Sequence, residues 1–216
     1  MKYTVPDLLS GQAIHFLALL LLLPTTWKFW VILERPFPVI FWTCILIPTF
    51  HQIFVWLSWR LELQNRAVSK SIGFKSYLIV FFIFLWARPL SLLYFAYLDK
   101  NTLGLSLAMQ ILLTMFFFIP AVYTAISIKR YFGFQRAAGA DHFKPEYRNM
   151  PLVKKGIFKY TKNGMYLFGF FALWAIAFGF NSKASLIVAG YSHVSIWIHY
   201  YATEKPDMLY LYGQND

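Results

Sequence analysis

Chemistry in this chain could be concentrated in one stretch, "HVSIWIHYYATEKPDMLYLYG" at 193–213. His193, Trp197, Tyr200 and Glu204 fall at i, i+4, i+7 and i+11, so on a helix they share one face. Ionisable groups directed from the end of an apolar helix into a bundle point to a pocket. The alternative is an interfacial belt of Tyr and Trp, with histidines that only hydrogen-bond to neighbouring helices. Lys205-Pro206 should stop the helix just after Glu204. A second stretch, "KYTKNGMYLFG" at 159–169, changes within four residues of Asn163-Gly164 from a lysine-dense loop to an apolar segment continuing through "FFALWAIAFGF". A third is Arg88, alone inside "FLWARPLSLLYF". A cation inside a membrane span costs at least about 2.5–3.5 kcal/mol on insertion scales. Arg88 therefore needs a lipid phosphate, an ion pair, or carbonyls freed by a kink at Pro89.

The elements that position these residues follow from composition. The chain has 216 residues, 59% hydrophobic and 21% aromatic with only 13% charged, and a mean hydropathy of +0.52. That is too apolar for a soluble domain and implies an integral membrane protein. A hydrocarbon core of about 30 Å takes roughly 20 apolar residues per helix. Six stretches meet or approach that length, at about 11–32, 37–59, 74–98, 103–128, 164–180 and 184–202. The expected fold is all-α, a polytopic bundle of about six spans, with the last two as a short hairpin. The segment "AIHFLALLLLL" could pass for a signal-peptide core, but Pro24 and "TTWKFW" follow it rather than a small-residue cleavage site, so it is expected to stay as a helix.

Lysine and arginine fix the orientation. Segments 60–75 and 129–163 carry most of the cations and should lie in the cytoplasm, leaving "ERPFP", "DKNT" and "NSK" on the far side and both termini inside. The net charge of +11 then belongs mainly to one membrane face, where each cation near anionic headgroups is worth about 1 kcal/mol. No separate soluble basic module exists, which argues against a nucleic-acid partner. The single cysteine, Cys44, lies inside an apolar run, so neither an internal disulfide nor a cysteine-rich metal site is expected.

The longest polar stretch, 129–163, carries Tyr131, Phe132, Phe134, Phe143, Tyr147, Ile157, Phe158 and Tyr160. These give it something to bury, so it should form an ordered cap rather than a disordered loop. The chain divides into spans 1–4 at 1–128 and a site-bearing region at 129–216.

The ordered set "RYFG", "GIFKYTKNGMYLFG", an apolar hairpin and "TEKPDMLYLYG" resembles the membrane methyltransferases that include phosphatidylethanolamine N-methyltransferases and isoprenylcysteine carboxyl methyltransferases. The likeness covers about 120–213. In that superfamily the middle motif typically carries R-H-P, or N-P in the phospholipid branch. Here the positions are Lys162-Asn163-Gly164, so the histidine is absent and glycine replaces the proline. The paired acid of the last motif is here Glu204-Lys205. Asn163 and "TEKPDM" sit closer to the phospholipid branch.

The resemblance implies S-adenosylmethionine as methyl donor and a membrane lipid as acceptor. Glu204 would pair with the donor's ammonium, and Lys162 with its carboxylate. Tyr166, Tyr200 or Trp197 would face the sulfonium, worth on the order of 0.5–2 kcal/mol. Asn163, Gly164 and Gly169 would bring the backbone close to the cofactor. An amine acceptor must lose a proton, and Asp141, His142, Glu146 and His199 are candidate bases. Arg88, Trp197 and Arg148 would meet the lipid. A bacterial inner membrane is the favoured location and the endoplasmic reticulum the other, with the site facing the cytoplasm. Phosphatidylethanolamine or its methylated forms are the first choice of acceptor, followed by a prenyl-cysteine carboxylate or a small thiol. A sterol-reductase-like enzyme using NADPH, and a non-catalytic membrane protein or small transporter, remain as alternatives.

Overall fold

A computed structural model describes residues 4–213, whose regular elements are all helices, with no strand among the described residues. Four helices are long and apolar enough to cross a membrane: α1 (Gln12–Ile32), α2 (Pro38–Asn65), α4 (Gly73–Leu98), and α5 (Leu107–Ser127) with a π-turn that continues it to Phe132. A short α3 (Ala67–Ser71) links α2 to α4. The bundle is inside out relative to a soluble protein. In α1, Leu17, Leu20 and Leu21 face outward while Gln12, His15 and Thr26 are buried, because lipid solvates methyl groups and the protein interior must satisfy polar ones.

The four long helices reproduce the first four of the six expected spans, the fifth and sixth are present as shorter helices, and there are two physical corrections. α2 runs six residues past the expected 59 because Arg60 and Glu62 are buried and partnered. Glu62 accepts from Ser69 N at 2.8 Å and Ser69 Oγ at 2.6 Å, which folds α3 back onto it. The second correction concerns Pro206, which does not end the helix. α10 (Lys183–His199) passes into a π-turn, Tyr200–Glu204, and then into α11 (Lys205–Tyr212). Pro206 occupies the first turn of α11, where a missing N–H costs little.

The expected hairpin is present. A π-turn at Met165–Gly169 leads into α9 (Phe171–Gly179), which packs along α5, and α10 returns against α1 and α2. Its tip is tied to the turn after α4. Asp99 Oδ2 accepts from Ser182 Oγ at 2.6 Å and from Ala184 N at 3.0 Å, while Asn101 N donates to Phe180 O at 3.0 Å. The short hairpin is therefore level with the far end of α4, and its near end is recessed under the cap.

That cap is ordered into α6 (Phe134–Ala137), α7 (Ala140–Phe143), α8 (Pro145–Arg148) and a 3₁₀ turn at Gly156–Lys159. Of the aromatic and aliphatic residues expected to bury it, Phe143, Ile157 and Phe158 do so, whereas Tyr131, Phe134 and Tyr160 are exposed. Gly139 lets the cap dock, since it has φ +82° and a Cβ there would lie 2.4 Å from the Trp59 ring. Tyr77 links the same layer, accepting from Trp59 Nε1 and donating to Ala138 O, each at 2.8 Å.

Candidate active site

Tyr166 stands where the hairpin begins, and its hydroxyl donates to Glu204 Oε2. Trp197 lies edge-on to the Tyr166 ring at 6.2 Å, and Tyr200 is tilted against it at 5.5 Å. Three of the four stripe residues therefore converge on one tyrosine. His193 does not join them. It accepts from Trp174 Nε1 at 3.1 Å and stacks on Phe170, facing α9.

Glu204 is 8% exposed and the π-turn brings it there. α1 braces this turn from behind. Gln12 Nε2 donates to Thr203 Oγ1 at 3.0 Å, and at Gly11, with φ +81°, a Cβ would lie 2.2 Å from Ala202 O. No other residue could bring the start of α1 so close to the backbone of the carboxylate-bearing turn.

A cavity of about 660 Å³ adjoins this cluster, a size suited to a small ligand. Tyr166, Gly169 and His199 line one end, Phe134 and Ala137 of the cap close over it, and Arg88, His51 and Gln52 lie on its wall. The rest is apolar. α4 and α5 follow one another in sequence but barely touch. Between them Trp86 and Phe118 line the cavity while each remains exposed on the lipid-facing surface. The gap leaves the cavity open between α4 and α5.

Behind the carboxylate lies a buried ionic network that sequence reasoning did not find. Arg60 Nε is 2.8 Å from Asp207 Oδ1, with both side chains fully buried. Arg60 Nη1 donates to Asp7 O at 2.6 Å. His142 bridges two carboxylates, with Nδ1 3.0 Å from Asp141 Oδ1 and Nε2 3.3 Å from Asp207 Oδ2. Its ring stacks on Trp59 at 4.1 Å. Tyr212 OH donates to Asp141 Oδ2 at 2.9 Å. The sequence signal was faint. Asp207 lies three residues after Glu204, and Arg60 reads as one more topology-setting cation.

Burial by itself would lower the His142 pKa, but the hydrogen bonds and charges of Asp141 and Asp207 prevail and hold it at about 9. Burial likewise works to raise Asp141, and the contact with His142 outweighs it, leaving the carboxyl below its usual range. His142 is thus an imidazolium at neutral pH. The unfolded chain releases this proton near pH 6.5 and the folded one near 9. The stabilisation is full below pH 6.5 and disappears as pH rises to about 9. Melting curves of detergent-solubilised protein should shift downward across that window, and His142→Gln should flatten the shift.

The other expected site residues are placed as follows. His142 has a carboxylate against each ring nitrogen and no lone pair to offer an acceptor. Glu146 is exposed on α8, away from the cavity wall. Arg148 is committed to backbone, with Nε donating to Asp141 O at 2.7 Å and Nη2 to His142 O at 3.0 Å. Lys162 is exposed. Asn163 starts the hairpin through its carbonyl, which accepts from Tyr166 N and Leu167 N. Gly164 leaves no room for a ligand, because the space for its Cβ is filled by Ile157 at 3.0 Å. Gly169 lines the cavity, and so does His199, whose buried Nδ1 has no partner. No group of three or more potential metal ligands occurs among the described residues.

The order of these elements, a cap, a short hairpin and a carboxylate-bearing turn, coincides with a known domain. Residues 109–215 match the family model of phospholipid methyltransferases. The match covers 107 of the 216 residues, just under half of the chain. No curated protein and no solved structure matches the chain. Every residue of the Tyr166–Glu204 cluster lies within the phospholipid methyltransferase domain, whereas Arg60, Trp59 and Arg88, which back and line its cavity, come from the preceding helices.

Proposed function

We propose that the protein transfers a methyl group from S-adenosylmethionine to a lipid-borne acceptor, with the amine of phosphatidylethanolamine or its partly methylated forms as the first choice. The observation that carries this reading is a shielded carboxylate, Glu204, joined to Tyr166 and flanked by Trp197 and Tyr200, beside a cavity that opens to lipid between α4 and α5.

The residues present fit the methyl donor's two cationic centres. Glu204 would take the ammonium as a charge-assisted pair. The ring faces of Tyr166, Trp197 and Tyr200 would take the sulfonium. Its carboxylate has no buried cation waiting in the cluster, and Lys162 would have to fold inward from the surface to reach it. When bound, the donor supplies an activated methyl, and the chain's own residues position and shield. Holding both reactants in a site closed to water can supply about 7–11 kcal/mol in favourable cases. His199, which lines the cavity and whose buried Nδ1 has no partner, is the group we assign to accept the amine proton.

The same reading places six spans in a cytoplasmic membrane with both termini inside. α9 and α10 form the fifth and sixth, and the cationic cap and the α2–α4 link face the cytoplasm. A bacterial inner membrane is favoured over the endoplasmic reticulum. Purified protein in micelles containing phosphatidylethanolamine, incubated with labelled S-adenosylmethionine, should move label into the lipid fraction. Label in neither lipid nor thiol acceptors, together with no thermal stabilisation by the cofactor, would remove this function.

A further inference from the structure

Arg88 is 7% exposed and faces the cavity, yet no carboxylate pairs with it among the described residues. Nη2 donates to His51 Nδ1 at a long 3.4 Å, Nε is buried without a partner, and the guanidinium carbon lies 5.1 Å over the Phe170 ring. A guanidinium carries five N–H donors in a planar fork. Most of this fork is therefore unspent. The wall beside it has further unused polar atoms, His51 Nε2 and Gln52 Oε1. The other deeply buried arginine differs in having a counter-ion, since Arg60 Nε lies 2.8 Å from Asp207 Oδ1 and Nη1 donates to Asp7 O at 2.6 Å. The contrast marks Arg88 as a buried cation without a counter-ion among the described residues and with donors to spare.

We propose that Arg88, supported by His51, binds the oxyanion of an amphiphile whose chains leave the cavity between α4 and α5. The geometry sets where that anion sits relative to the reacting end. Phe170, under the guanidinium, follows Tyr166 by four residues in and just after the π-turn, about one turn of helix or on the order of 5 Å. An ethanolamine nitrogen is separated from its phosphorus by two carbons and one oxygen, a span of the same order. A phosphodiester at Arg88 therefore leaves an amine beside Tyr166 and Glu204. Beyond Arg88 the lining turns to Leu85, Pro89 and Ile176, where only acyl chains fit. A planar fork prefers two-oxygen anions, so a carboxylate amphiphile is the second source of the same chemistry. The claim rests on the methyltransferase reading only in calling this amphiphile the acceptor.

The test is binding without any methyl donor. Full-length protein in a neutral maltoside detergent is titrated with dihexanoyl phosphatidylethanolamine, laurate, dodecylglycerol and inorganic phosphate, following tryptophan fluorescence, to which Trp86 at the opening contributes. A charge-assisted contact should make an amphiphile that carries an oxyanion, the zwitterionic phosphatidylethanolamine or the anionic laurate, bind about tenfold to a hundredfold more tightly than dodecylglycerol, which has none. Whichever of the two oxyanion-bearing amphiphiles binds more tightly identifies the headgroup class. Arg88→Gln should erase that preference and leave dodecylglycerol binding unchanged, and Arg88→Lys should retain part of it. Equal affinity of wild-type protein for dodecylglycerol and for both oxyanion-bearing amphiphiles would overturn the proposal, whether or not the variants fold. Saturation by inorganic phosphate at the same concentrations would overturn it too, because a free-anion site needs no chains. Labelled lipid produced at undiminished rate by Arg88→Gln would overturn it while leaving methyl transfer standing.

Discussion

Replacing Glu204 by glutamine should abolish cofactor-induced thermal stabilisation while leaving the unliganded melting temperature within a degree or two of wild type. The substitution is isosteric, and the amide oxygen can still accept from the Tyr166 hydroxyl that now donates to Oε2. Packing against the π-turn and against α1 is also kept. Burial raises the pKa of the free Glu204 carboxyl to about 8, so what is lost is the charge that the donor's ammonium would draw out, in a site 8% exposed and poorly screened. Removing one member of a desolvated charge pair costs about 2–5 kcal/mol, which corresponds to a roughly thirty-fold to several-thousand-fold rise in Kd. Isothermal titration with S-adenosylmethionine reads this directly. Unchanged affinity would mean that Glu204 holds only the tyrosine and that the cofactor's ammonium lies elsewhere.

The four long helices were legible in the sequence to within a few residues because lipid imposes one rule, length of apolar run, that needs no knowledge of partners. Where the rule stopped holding, the cause was a pairing invisible along the chain. α2 overran its expected end because Arg60 and Glu62 found partners 147 and seven residues away, on α11 and on Ser69. Pro206 was expected to break a helix that a π-turn lets through. The site was half legible. Helical spacing correctly brought Trp197, Tyr200 and Glu204 to one place, and the Asn163-Gly164 switch marked where Tyr166 enters it. Spacing could not show that His193 turns toward Trp174, nor that the space beside Gly164 belongs to Ile157. His142, considered as a base, is locked between two acids whose approach depends on α11 folding back under the cap.

That fold-back gives the largest expected effect on stability. Asp207 is the one residue on α11 that touches both Arg60 of α2 and His142 of the cap, and all three side chains are fully buried. In Asp207→Asn the arginine and the imidazolium both keep their charge and lose their shared counter-ion. Breaking a buried pair from one side costs about 3–5 kcal/mol, because the remaining charge has no solvent to return to. The variant should melt far below wild type in detergent, and its pH dependence between 6.5 and 9 should change, since the His142 proton is then held by Asp141 alone. Replacing both members of the Arg60–Asp207 pair by Met and Leu should recover part of the loss, because well-packed apolar residues can substitute for a buried ion pair. If Asp207→Asn melted like wild type, the network would be ornamental to the fold. If it melted low but still bound S-adenosylmethionine normally, then Glu204, one turn earlier on the same helix, would hold its position without it.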